Sequence, residues 1–279
     1  MRAKKYKLGI IGCGNMAEAI IKGIMASEFL IHSEIYAYDI RPERKKYIKD
    51  NYKITFAKNI SELVCKSKHL LIAVKPQDFI GVIKDIKDNF DSSFNVVISI
   101  AAGISTAFIE KKLSFKASVI RVMPNTPALL NKGISAISKG RYVSRIDLDF
   151  VIDIIKSLGQ YVVVDEKFQN IITAISGSGP AYFFLFCKYL IESASRRGID
   201  RKISEQLVIN TIIGSGEMLK KYNSDTDFLI RMVASPGGTT ECAIAKFKEQ
   251  NLDSIINGAV ESAETRAGEL EKELNNDKK

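Results

Sequence analysis

The sequence predicts an α/β domain built on a doubly wound parallel sheet, followed by an all-helical domain, with the change near residue 165. Three observations carry that prediction. Short apolar segments alternate with helical ones through the first half, the pattern of βαβ units whose sheet is covered on both faces. The first of these strands runs into Gly12-Cys13-Gly14-Asn15-Met16-Ala17, a glycine turn opening a helix. Beyond Val164 the strand-like runs largely stop and long helical patterns take over.

Taken in order, residues 7–11 form a short apolar run bounded by glycine, which suits a buried strand. A helical pattern follows to about Met25, with Met16, Ile20 and Ile24 on one face. Residues 35–38, 70–74, 96–100 and 119–122 read as further strands, and 133–137 and 161–164 as later ones. Helical segments fall near residues 42–52, 61–65, 79–86 and 106–113. In the second half Pro180 stands where a first helical residue belongs and Gly198 where a helix stops. Helices are also expected over about 203–222, 225–233, 240–249 and 252–274. The helix after Pro180 carries Phe183, Phe184, Leu185, Phe186, Tyr189 and Leu190. These cannot all face one small core, and a helix apolar all round needs burial all round. A subunit interface is the favoured reading over packing against the first domain.

Composition narrows the chemistry. The chain has 279 residues, 46% hydrophobic and 26% charged, enough for two packed domains without metal or disulfide staples. Four scattered cysteines without a CxxC pair, and only two histidines, predict no disulfide framework and no metal site. They point to a reducing, cytoplasmic setting. No apolar run approaches the ~18 residues of a membrane span, so no membrane partner is expected. The basic residues 1–7 lead into too short an apolar stretch for a secretion signal. The net charge of +9 is uneven: residues 1–165 hold 26 Lys and Arg against 16 Asp and Glu. An anionic partner follows. Without a dense basic helix or a basic–aromatic ladder, nucleic acid is not expected, and a phosphorylated cofactor is.

Several segments carry chemistry. In the G-x-G-x-x-A motif, Gly12 permits the tight turn, Gly14 lets a pyrophosphate approach the backbone, and Ala17 allows close helix–strand packing. With a strand before it and a helix after it, this predicts a Rossmann-type dinucleotide-binding domain. Asp39 ends the second strand, where a carboxylate accepts a ribose 2′-hydroxyl and favours NAD. Arg41 and Arg44 follow closely and suit a 2′-phosphate, so the choice between NADP and NAD stays open. Ala73-Val74-Lys75-Pro76, Ala101-Ala102-Gly103 and Met123-Pro124-Asn125 each leave a strand end, where open α/β sheets bind ligands. Ser176-Gly177-Ser178-Gly179-Pro180 and Ser235-Pro236-Gly237-Gly238-Thr239-Thr240 each open a helix. There, free amides and hydroxyls suit a small carboxylate, the second loop being the better candidate.

The ordered set GCGNMA, AVKPQ, SIAAG, RVMPNTPA, SGSGPAY and SPGGTT resembles that of the pyrroline-5-carboxylate reductase family from about residue 7 to 270. The resemblance implies a Rossmann domain over residues 1–165 and a helical dimerisation and substrate-binding domain over 166–279. It implies an interleaved homodimer, in some members five dimers in a ring. It also implies hydride transfer from NADPH or NADH to the C=N bond of 1-pyrroline-5-carboxylate, giving L-proline. By the same resemblance, Gly12, Gly14, Asn15, Met16 and Ala17 cradle the cofactor phosphates. Ala73, Lys75, Pro76 and Ala101 to Gly103 line its path, and Asn125 lies near the nicotinamide. Ser235, Gly237, Gly238, Thr239 and Thr240 meet the substrate, with the Thr240 hydroxyl reaching the ring nitrogen as the catalytic group. Two departures stand out: Asp39 at a position where members vary, and Asn170 where members often carry an acid.

Two other readings compete. A β-hydroxyacid dehydrogenase shares the two-domain plan but needs a lysine at the start of a long second-domain helix. Here that place holds SGSGPAY, and the first lysine within is Lys188. A non-catalytic nucleotide sensor would leave SPGGTT without a purpose.

Overall fold

A computed structural model describes residues 5–113, 116–223 and 225–276; the terminal residues 1–4 and 277–279 lie outside it. Eight strands form one sheet: β1 (Tyr6–Ile11), β2 (Ile35–Tyr38), β3 (Thr55–Phe56), β4 (Ser67–Ile72), β5 (Val96–Ser99), β6 (Ser118–Met123), β7 (Gly133–Lys139) and β8 (Gly159–Val163). Their spatial order is β3-β2-β1-β4-β5-β6-β7-β8. All neighbours pair in parallel except β6 and β7. The chain reverses direction across the sheet between β1 and β4, which is where open α/β sheets bind ligands.

Strand alternation sorts side chains onto two faces. Leu8 and Ile10 of β1, Val96 and Ile98 of β5, and Ile120 and Val122 of β6 enter one buried cluster. Ile11, Val97 and Val119 enter the other. The helices that cover each face carry matching stripes. In α1 (Asn15–Ala26) the buried residues include Ala17, Ile20, Ile21 and Ile24, spaced i, i+3, i+4, i+7. Next come α2 (Pro42–Tyr52), α3 (Ile60–Lys66), α4 (Phe79–Lys87) and α5 (Thr106–Leu113). Residues 145–156, not anticipated as a helix, form α6 (Arg145–Lys156), with Ser144 capping the Asp147 amide and Leu148, Val151, Ile152 and Ile155 buried. Each such aliphatic side chain contributes about 1.5–3 kcal/mol on full burial.

One polar contact fastens α6 to the sheet. His69 on β4 is buried, stacks on Phe150 at 3.8 Å between centroids, and lies 3.2 Å from an Asp147 oxygen. Its other ring nitrogen meets the Lys7 carbonyl at 3.0 Å. Burial, with help from neighbouring Lys68, lowers its pKa despite Asp147.

After β8 come α7 (Gln169–Ile172) and a π-helical turn, Thr173–Gly177. Five longer helices follow: α8 (Gly179–Ser195), α9 (Arg201–Lys221), α10 (Thr226–Val233), α11 (Thr239–Glu249) and α12 (Leu252–Asn276). The chain divides into two compact units: one runs up to Ser178 and resumes at Ser262, and the other is Gly179–Glu261. The first change of unit thus falls later than the change in sequence pattern near 165, and the end of α12 returns to the sheet-containing unit.

Among the described residues of the helical unit, only Gly179 and Ser204 are buried. Phe183 and Phe184 of α8 are 61% and 68% exposed. The helical run Glu166–Ser195 also contains an 18-residue window of mean hydropathy 1.2, apolar and long enough to cross a membrane. The window reaches that length by averaging over polar positions and not as an unbroken apolar run. Polar Ser176, Ser178 and Lys188 break the apolar run in the sequence, and Ser178 separates the π-helical turn from α8.

Candidate functional site: a nucleotide crevice and an anion loop

The turns leaving β1 and β4 meet at the switch point of the sheet. Gly12 has φ +87°, and a Cβ there would lie 2.8 Å from the Ala73 carbonyl oxygen and 2.9 Å from Val74 Cγ1. Only glycine fits that backbone and that approach. The Gly12 amide donates to the Tyr38 carbonyl at 2.8 Å, and the Ala73 amide to the Ile11 carbonyl at 2.8 Å. Three strand ends are thereby fixed together. Gly14 is the N-cap of α1 and supplies no side-chain cap. The space where its Cβ would stand is open. Uncapped amides at the start of a twelve-residue helix, beside open space, fit a pyrophosphate.

Asp39 sits beside this turn, almost fully buried. One carboxylate oxygen accepts from the Cys13 amide at 2.7 Å and from Arg41 Nη2 at 3.0 Å. The other accepts from the Arg41 amide at 2.9 Å and from Arg41 Nε at 3.0 Å. A carboxylate offers about four acceptor positions, and all are taken. Burial pushes the Asp39 carboxyl up, but the Arg41 guanidinium and the Arg41 and Cys13 amides outweigh it and hold the pKa below its ordinary value. A ribose hydroxyl gains a place only by displacing Arg41. Arg44 does not face outward either: it contacts the Cys13 and Gly14 carbonyls and pairs with Glu18 of α1. It braces the glycine turn, a role separated from its partners by too much sequence to be read locally. Burial, reinforced by Asp39, pushes the Cys13 thiol up to about 12, which leaves it inert.

Other candidates line strand ends of the same unit. Lys75 is exposed and precedes Pro76, which opens the turn into α4. Ala101 is buried, and Gly103 has φ +70°. Asn125 Oδ1 accepts from the Ile134 amide at 3.1 Å, and its Nδ2 donates to Ser176 Oγ at 3.4 Å. Asn125 therefore anchors β7 and orients the π-helical turn. That turn also packs closely, since a Cβ on Gly177 would lie 2.6 Å from Met123 Cε. Ser176 was not singled out individually from the sequence; the π turn that presents it leaves no local signature.

In the helical unit, Gly238 caps α11 without a side-chain hydrogen bond. The Gly238 amide donates to the Ser235 carbonyl at 2.9 Å, closing the turn, and Gly237 has φ +70°. The Gly237 amide donates to Glu241 Oε2 at 2.7 Å. These bonds engage two loop amides and leave those of Thr239 and Thr240, at the helix start, as the pair best placed for a small anion.

A doubly wound sheet with an open glycine crevice at its switch point defines a dinucleotide-dependent oxidoreductase. Residues 7–103 match the family described as NADP oxidoreductase, coenzyme F420-dependent, and residues 166–270 match pyrroline-5-carboxylate reductase dimerisation. The chain is 33% identical to pyrroline-5-carboxylate reductase of Corynebacterium melassecola, over 95% of this chain and 98% of that one. The solved pyrroline carboxylate reductase of Plasmodium falciparum, with NADP bound, superposes with a TM-score of 0.86 at 30% identity, covering 96% of this chain and 99% of that one. The enzyme of Coxiella burnetii gives 0.88 at 30% identity, covering 95% and 98%. The chain belongs to the pyrroline-5-carboxylate reductase family, whose activity is NAD(P)H-dependent. Its second unit lies within the residues that match that dimerisation family.

Proposed function

We propose that the chain makes L-proline by reducing 1-pyrroline-5-carboxylate, with the cofactor held at the Gly12–Ala17 turn and the substrate at the Ser235–Thr240 loop. The observation that carries this reading is the uncapped start of α1 beside the open space at Gly14, in a chain similar to these reductases over nearly its full length. NAD(P)H, when bound, supplies the hydride. The protein's own work is binding and orientation. Gly12, Gly14, Asn15, Met16 and Ala17 cradle the phosphates. Ala73, Val74, Lys75 and Pro76 line the path with Ala101, Ala102 and Gly103, and Asn125 holds the nicotinamide end together.

On the substrate side, the Thr239 and Thr240 amides take the carboxylate, and Ser235, Gly237 and Gly238 shape the turn. The Thr240 hydroxyl hydrogen-bonds the ring nitrogen and favours its protonated, more electrophilic form. No strong side-chain acid is required. The helical units of two protomers interleave, burying α8, and dimers assemble further into rings. The four free cysteines suit a cytoplasmic location.

A coupled reading of proline formation by the purified protein, with NADPH and with NADH, tests the assignment. Proline must form with at least one of them; its absence with both rejects the function. Asp39 and Arg41 make cofactor choice a competition, because Arg41 both fills Asp39 and offers a cation to a 2′-phosphate. Arg41→Ala is therefore expected to move the ratio of specificity constants towards NADH by about tenfold, as for one charge-assisted hydrogen bond.

A further inference from the structure

The end of α12 lies on the turn that follows β5. A Cβ on Gly103 would stand 3.1 Å from Leu270 Cβ, 3.3 Å from the Glu271 nitrogen and 3.4 Å from the Ala267 oxygen. Ala267 is buried there. The helix backbone itself therefore supports the Ala101–Gly103 turn.

A polar chain ties the same helix end to β6. Arg121 is a buried cation, 2% exposed. Its Nη1 lies 3.5 Å from Glu166 Oε1, and its Nη2 donates to Asn170 Oδ1 at 3.4 Å. Glu166 also caps α5, accepting from the Thr106 amide at 2.7 Å and from Thr106 Oγ1 at 2.6 Å. Asn170 Nδ2 in turn donates to Glu271 Oε2 at 3.2 Å. A neutral amide at 170 is suited to this place because it accepts from a cation on one side and donates to a carboxylate on the other. A carboxylate at 170 would face Glu271 with like charge.

We infer that Arg121, Asn170 and Glu271 form a latch that holds the end of α12 against the Ala101–Gly103 turn. Asn170 and Glu271 are thus positioning residues for cofactor binding. The inference rests on the reading that this turn lines the cofactor. When the latch opens, Ala267 and Leu270 lift from Gly103, the turn loses its support, and cofactor affinity falls.

The test is equilibrium titration of NADPH by fluorescence on the full-length protein, with amide hydrogen exchange over residues 262–273 of the cofactor-free protein. Glu271→Ala and Asn170→Asp are expected to weaken NADPH binding about three- to tenfold and to speed exchange at Ala267 to Glu271. The KM for the imine substrate should stay unchanged. Glu271→Gln keeps an acceptor for Asn170 and should bind within about twofold of the parent. Asn170→Asp combined with Glu271→Lys restores opposite charges and should recover both readouts. Unchanged affinity in Glu271→Ala and Asn170→Asp would overturn the latch, as would equal losses in Glu271→Gln and in the charge-swapped double variant. A parent that binds NADPH but forms no proline would defeat the assigned reaction and leave this titration able to judge the latch.

Discussion

The two units of this chain bury their apolar residues by different means. The sheet-containing unit has two clusters of fully enclosed side chains, one on each face. The helical unit, with comparably apolar sequence, leaves Phe183, Phe184, Leu185, Phe186, Tyr189 and Leu190 open. Apolar content alone does not make a core; a partner surface must supply the other half. The first unit is complete within one chain, whereas the second is built to be completed by another copy. The glycine turn belongs to the first unit and the Ser235–Thr240 loop to the second.

The largest expected effect breaks this contrast directly. Phe184 is mostly exposed in one chain, where a lysine would change stability by no more than about 0.5 kcal/mol. In a dimer core, a lysine without a partner costs several kcal/mol. Phe184→Lys should therefore reduce the mass in sedimentation to that of a monomer and lower proline formation at least about a hundredfold. An unchanged mass with unchanged activity would mean that α8 is not at the interface.

Burial lowers the His69 pKa inside the sheet unit, while the ordinary value is 6.5. Its native pKa is the lower one, so the unfolded state binds the extra proton as pH falls. Stability is whole above about pH 6.5 and declines as pH drops towards the depressed native value. Asp147 faces the ring and pairs with Lys68, whose charge also acts on His69, but Asp147, also depressed, titrates well below this window. Denaturant unfolding between about pH 7.5 and about pH 5.5 should show stability falling in the parent and falling less in His69→Gln. A parent that gains stability towards acid would refute the lowered His69 pKa.

Much of the sheet unit was legible because burial on both faces leaves a local mark: short apolar runs closed by glycine or polar turns. The strand expected over 70–74 is instead β4, Ser67–Ile72. Polar Ser67 and Lys68 look like loop, yet Ser67 pairs with Tyr6, and Ala73 and Val74 have already left the sheet to meet Gly12. β3 has only two residues, too few to carry a pattern. The missed α6 did have a signal, a Ser144 cap and apolar residues at i, i+3, i+4 and i+7.

The candidate site was legible where backbone dictates residue type, as at Gly12 and Gly14. It was not legible where side chains meet across the fold. Arg44 bracing Cys13, Arg41 filling Asp39, and Asn170 joining Arg121 to Glu271 are facts of three-dimensional approach, and no spacing encodes them.

Two separate cradles, the glycine turn and the Ser235–Thr240 loop, are proposed to serve one hydride transfer. Steady-state kinetics of Thr240→Ala, with NADPH affinity measured on the same preparation, tests it most directly. The kcat/KM for 1-pyrroline-5-carboxylate should fall about tenfold or more, as for one lost hydrogen bond to a charged group, while NADPH binds as before. An unchanged kcat/KM, or a matching loss of NADPH affinity, would contradict it.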